Sequence, residues 1–149
     1  MVVRIVIALL ILATVGAVAL VMRRRPPEAP PRDVYPVPVQ LDRADFVRPD
    51  AAWLVVLFSS ATCDSCRGLD EKLTPLESDD VAVCAIDLEH FAELHRRYEL
   101  AAIPTTVVAD HEGVVRRAFV GAFTATDLWA AVAELRDPGS TPEPDLGTV

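Results

Sequence analysis

Cysteine is scarce in this chain: three residues in 149, too few to staple a small secreted scaffold with disulfides. Positive charge is scarce too once residues 1–32 are set aside. That stretch holds five arginines and a single acid, Glu28. The remainder therefore has nine basic against 21 acidic side chains, a balance of −12 inside a formal total of −8. So acidic a body excludes a nucleic-acid-binding face, which must meet phosphates with positive charge. No internal repeat is present, and the length allows one ordinary domain.

What is plentiful is apolar surface, 52% of residues, and it is unevenly spread. Val2–Met22 carries one charge, Arg4, and is closed by Arg23, Arg24 and Arg25. A bilayer core needs about 20 apolar residues as a helix. The larger basic cluster follows the span and no Ala-x-Ala site follows Val21, which argues for an uncleaved anchor over a signal peptide. A buried core helix is the alternative, but few soluble helices are apolar all round. Arg23, Arg24, Arg25 and Arg32 outnumber Arg4 and the terminal amine, so the positive-inside rule puts the C-terminal domain in the cytoplasm. Six prolines between residues 26 and 38 form an extended spacer, and residues 138–149 read as a disordered tail. The expected organisation is an anchor with basic flank (1–25), a spacer (26–38), a domain (39–137) and the tail.

Within the domain, Trp53–Phe58 and Val81–Ile86 are apolar without alternation, as strands covered on both faces are. Cys66–Leu73 has helical character, with Leu69 and Leu73 on one face. His90–Leu100 presents Phe91, Leu94 and Tyr98 at helical spacing. Thr105–Ala109 is a third strand, Asp110–Gly113 a turn and Val114–Val120 its hairpin partner. The last helix starts at Thr124 or Thr126 and turns Leu128, Ala131, Val132 and Leu135 inward. The alternation predicts a parallel core with an antiparallel hairpin edge, in a three-layer α/β sandwich with a mixed sheet.

Cys63-Asp64-Ser65-Cys66 follows the first strand directly and opens a helical segment. A helix start stabilises a thiolate and lowers the Cys63 pKa below the free value of about 8.5. Cys66, three residues on, is within reach to attack a mixed disulfide formed at Cys63. Asp64 opposes this, since its charge disfavours the thiolate.

Phe58–Cys66, the later Ile103-Pro104-Thr105 and Gly121 before the last helix resemble the thioredoxin superfamily over residues 52–135. The resemblance implies a thioredoxin-like fold with Cys63 as nucleophile and Cys66 as resolving thiol. It also implies a cis bond at Pro104, and a substrate strand pairing with the backbone of Ile103. No cofactor is implied, because the dithiol itself cycles; the partners are a protein thiol or disulfide substrate and a redox partner, for which another membrane protein is a candidate. Three departures stand out. Thr62 replaces the family's tryptophan, Leu57 its buried carboxylate and Val83 the accompanying lysine, so Cys66 lacks a general base and turnover should be slow. Membrane-tethered relatives of this kind mostly face outward, opposite to the arginine count.

The main reading is a membrane-anchored thiol–disulfide oxidoreductase acting on protein or small thiol substrates. Set against it are a redox-weak binding module of the same fold, which Leu57 and Val83 favour, and a metal-handling module using the CxxC. His90 and His95 are five apart and share no helical face, and with His111 they do not make a zinc set. Cys84, mid-strand, reads as a small hydrophobe. Arg96-Arg97 and Arg116-Arg117 read as solvated, and Trp53 and Trp129 as partly buried packing residues.

Overall fold

A computed structural model of the chain describes residues 35–141. The expected anchor, Val2–Met22, most of the proline spacer and the end of the tail lie outside the described residues. Among those described, no helix is long and apolar enough to cross a membrane.

Four strands among the described residues form one sheet: β1 (Trp53–Ser59), β2 (Val81–Asp87), β3 (Thr105–Asp110) and β4 (Val115–Val120), in the order β2-β1-β3-β4. The unbroken apolar run of β1 is explained by its central place. Leu54, Val56 and Phe58 enter one layer with Phe46, Ala82, Ile86, Tyr98 and Val107. Val55 and Leu57 enter the other, with Leu69, Leu73, Val108, Phe123, Leu128 and Val132. Alternate side chains thus serve both faces, and from Leu54 to Phe58 none is more than 1% exposed.

These faces are covered by α1 (Leu69–Leu73), α2 (Ala92–Arg97) and α3 (Ala125–Arg136). Thr124 caps α3 by accepting from the Asp127 N–H at 3.1 Å, and the Asp127 carboxylate accepts in return from the Thr124 N–H. At the hairpin turn, Gly113 has φ 83°, and a Cβ there would stand 2.0 Å from the Leu41 carbonyl oxygen. Only glycine lets the N-terminal arm close on the turn through Leu41 N–H to Gly113 O, 2.8 Å.

Several expectations are corrected. Only β1 and β2 are parallel; β3 runs antiparallel to β1, with Phe58 opposite Thr105 and Trp53 opposite Asp110. The seven residues of β2 travel roughly 23 Å, whereas the six of α2 return only about 9 Å. The chain therefore stays near the end where β2 finished and starts β3 from there. β2 is an edge strand with Ala85 exposed, not one buried on both faces. Cys66–Leu73 is not one helix: a 3-10 turn, Asp64–Cys66, is separated from α1 by Gly68 at φ 71°. Phe91 precedes α2 and is 48% exposed, while His95 takes an inward place with its ring edge-on to Phe58. Arg96, Arg97 and Arg116 are exposed, as expected of solvated faces, with Arg97 bound to Asp45 at 2.8 Å and Arg116 to Asp110 at 2.6 Å. Trp129, 41% exposed, donates its indole N–H to the Lys72 carbonyl at 2.8 Å, and Trp53 packs on the α1/α3 side.

Two weak acids on the other side give the fold an alkaline limit. Burial and the bond to Asp45 push the Tyr98 phenol up to about 12, and burial pushes the Cys84 thiol up to about 12. The unfolded chain releases both protons earlier, from about pH 8.5 for cysteine and 10 for tyrosine. The stability they contribute is full below those values and lost as pH climbs toward 12. In urea unfolding of the oxidised protein, the midpoint should fall between pH 8 and 10.5. Cys84→Ala should flatten the first part of that fall; an unchanged slope would show that Cys84 is not desolvated.

Candidate active site

The topology gathers three chain segments at one end of the sheet. They are the loop after β1 (Ser60–Cys63), the turn after β2 (Leu88–His90) and the loop before β3 (Ile103–Pro104). Leu88 N–H donates to Ser59 O at 2.8 Å, tying the first two together. Gly121 N–H, just after β4, donates to Pro104 O at 2.8 Å, so the hairpin closes the third side.

Cys63 and Cys66 are joined by a disulfide, with their Cα atoms 5.4 Å apart. Cys63 is half-buried and Cys66 is buried at 8% exposure, so the first sulfur is the more accessible. The Cys63 N–H donates to Ser60 O and the Cys66 N–H to Cys63 O, both 3.1 Å, which fixes the turn between them. Cys63 Sγ lies 4.0 Å from the Ile103 carbonyl oxygen. Ile103 is half-buried, Pro104 is buried, and the bond between them is cis. The structure thus brings all four residues singled out in the sequence to one place.

The electrostatics differ from the expectation. Cys63 precedes a single 3-10 turn, and the five-residue α1 begins only after Gly68. Too few peptides are aligned on Cys63 to give it a substantial helix dipole. A local donor stands there instead: the Ser65 hydroxyl donates to Cys63 Sγ at 3.2 Å. The Asp64 carboxylate, the expected opponent of the thiolate, is paired with Arg67 at 2.8 Å on the exposed rim. On the far side His90 bonds to Asp87 at 2.9 Å, and this bond chiefly holds the Asp87 carboxyl below its usual range.

Leu57 and Val83 both lie in the apolar layer beneath α1 and α3, with Leu57 directly opposite Thr106 of β3. No charged side chain occupies either position. Cys84, half-buried on the edge strand, packs against the opposite layer, and its raised pKa keeps it protonated at neutral pH. Among the described residues, no three His, Cys, Asp or Glu side chains are grouped to hold a metal.

Sequence reasoning missed Ser60, Ser65 and Glu89. Ser65 lies inside the CxxC and was open to notice as a hydroxyl beside the reactive sulfur. Glu89 carries no such signal, because it meets Ser60 across 29 positions of chain.

A mixed four-stranded sheet between helical layers, with a disulfide-forming CxxC beside a cis-proline loop, defines a thioredoxin-like α/β protein with a dithiol centre. The thioredoxin family profile matches residues 41–134, more than half of the chain, and the chain belongs to that family. No curated protein sequence matches it. Among solved structures it is similar to the germline-specific thioredoxin Deadhead of Drosophila melanogaster, at 27% identity and TM-score 0.51 over 58% of this chain and 84% of that one. The Fasciola hepatica thioredoxin is 26% identical with TM-score 0.50, over 58% of this chain and 83% of that one. A point mutant of a Halobacterium salinarum thioredoxin, 23% identical, shares the fold at TM-score 0.54 over 64% of this chain and 86% of that one. Membership, with the CxxC pair intact, is consistent with thiol–disulfide exchange on protein partners.

Proposed function

We propose that this protein is a membrane-anchored thiol–disulfide oxidoreductase that works on protein thiols or disulfides through Cys63 and Cys66. The observation that carries the reading is the asymmetry of the pair: Cys63 half-exposed beside the Ile103 carbonyl, Cys66 buried behind it. In the reducing direction the Cys63 thiolate attacks a substrate disulfide and forms a mixed disulfide, and one substrate thiolate leaves. Cys66, deprotonated, then attacks Cys63 Sγ. The Cys63–Cys66 disulfide forms, the second substrate thiolate leaves, and two electrons have passed to the substrate. The oxidising direction is the same path reversed. A redox partner restores the starting state, and no cofactor takes part.

Ser65 supports the thiolate, both as nucleophile and when Cys63 is released from a substrate. Ile103 and Pro104 form the wall against which an extended substrate lies. Thr62 makes the rim beside Cys63 small and polar. The apolar span Val2–Met22 and the arginines after it support an anchor with the domain on the cytoplasmic side. A cytoplasmic domain is kept reduced and acts as a reductant.

The test is exchange by the full chain, purified in detergent, on a protein disulfide with dithiothreitol as electron source. Turnover that disappears in Cys63→Ser supports the reading. Absence of any exchange by the unaltered chain sinks it, and favours the binding module that the apolar Leu57 and Val83 fit. For the anchor, carbonate-resistant retention in the membrane is expected, and release with the soluble fraction would remove that part.

A further inference from the structure

We infer that Glu89 is a positioning residue for the nucleophile, holding the Ser60–Thr62 loop through a carboxylate clamp. This deepens the proposed exchange function and rests on it. Glu89 Oε1 accepts from the Ser60 hydroxyl at 2.8 Å and from the Thr62 hydroxyl at 3.4 Å. Its Oε2 accepts from the Ala61 N–H at 3.2 Å. The Ser60 oxygen in turn accepts from the Thr62 N–H at 3.2 Å, and the Ser60 carbonyl receives the Cys63 N–H. One carboxylate therefore reaches all three residues that lead into Cys63, and its influence passes to the cysteine backbone through Ser60.

The clamp is itself anchored. Asp87 Oδ1 accepts from the Glu89 N–H at 3.1 Å and bonds to His90, so the turn that presents Glu89 is fixed at the end of β2. Ser60 is 8% exposed, and its hydroxyl oxygen also lies 2.9 Å from that of Thr62, so the buried group sits inside the same network. Glu89 is exposed, and its contacts within the described residues are spent on this loop and turn rather than on a cation. It sets the height of the Cys63 sulfur against the Ile103 carbonyl, where an incoming strand must lie. It also holds the Ala61, Thr62 and Cys63 N–H groups in hydrogen bonds, directly or through Ser60, and so slows their exchange with solvent.

Both consequences are measurable in the full chain. Glu89→Ala should lower kcat/KM on a protein disulfide about tenfold, mostly through KM, while exchange with a small aromatic disulfide stays within about twofold. Ser60→Ala should give a similar loss, and the double variant should be no worse than the worse single, since the two act as one unit. Independently of turnover, amide hydrogen exchange at Ala61, Thr62 and Cys63 should quicken several-fold in Glu89→Ala and in Ser60→Ala. Additive losses, or amide hydrogen exchange over Ala61–Cys63 unchanged in Glu89→Ala, would overturn the clamp. If the unaltered chain is folded yet exchanges no disulfide, the functional reading fails, and amide hydrogen exchange over Ala61–Cys63 alone decides the role of Glu89.

Discussion

Cys66→Ser is expected to convert the protein into a trap that retains about one equivalent of substrate covalently on Cys63. The reason lies in the positions of the two sulfurs. Cys63 is half-exposed, beside the Ser65 hydroxyl and the Ile103 carbonyl, so a substrate disulfide can reach it. Cys66 is buried behind it, with Cα atoms 5.4 Å apart, and is the group placed to attack the mixed disulfide. Removing Cys66 leaves the first step intact and abolishes the second. Non-reducing electrophoresis after incubation with a protein disulfide should show a new band that collapses with dithiothreitol. Cys63→Ser should show none, because Cys66 is too buried to begin the reaction. Cys84→Ser should behave as the parent: a thiol whose pKa is pushed up to about 12 on the edge strand supplies almost no thiolate at pH 7. Trapping by Cys63→Ser in place of Cys66→Ser would reverse the assigned roles. Trapping by neither would leave the fold with a disulfide but without exchange.

How far the sequence foretold this arrangement depends on the range of the interaction involved. The run Trp53–Phe58 announced a central strand because a strand buried on both faces has no position left for a polar side chain. Thr124 and Thr126 both offered a helix start, and Thr124 takes it because capping works across three residues and Asp127 lies within that reach. The CxxC and Ile103-Pro104 were legible as short motifs, and their meeting came from resemblance to a known family. What failed was set by length or by tertiary competition. The direction of β3 depends on how little distance α2 recovers, which apolar periodicity does not report. Gly68 broke a segment whose leucine spacing was correct for a helix, because a left-handed residue interrupts the hydrogen-bond ladder whatever its neighbours prefer. His95 displaced Phe91 from the interior because the helix begins after Phe91 and turns it outward, while Phe58 supplies a ring edge for the imidazole. Glu89 was illegible for the plainest reason: its partners lie 27 to 29 residues away.

Leu57→Asp, which puts a carboxylate where this chain has a leucine, should be among the most destabilising single changes available. Leu57 is 1% exposed, in a layer with Leu69, Leu73, Val108 and Leu128, opposite Thr106. Loss of the leucine forfeits roughly 1.5–3 kcal/mol of burial, and a buried carboxylate adds several kcal/mol more. Together these approach the whole stability of an ordinary domain, about 5–15 kcal/mol. The pH dependence identifies the cause. Burial raises the folded-state pKa of the new carboxyl above its unfolded value of about 3.9. Over the interval between those two values the unfolded chain gives up its proton and the folded one retains it. Stability therefore falls as pH rises, by up to about 1.4 kcal/mol per unit. Urea midpoints at pH 5 and pH 8 should differ sharply for Leu57→Asp, and little for Leu57→Asn, which has the same shape and no ionisation. If the Asp and Asn variants lost stability equally at both pH values, water would have to reach Leu57. The dry layer beneath α1 and α3 would then be wrong, and with it the ground for expecting slow resolution by a thiol that has no buried base to call on.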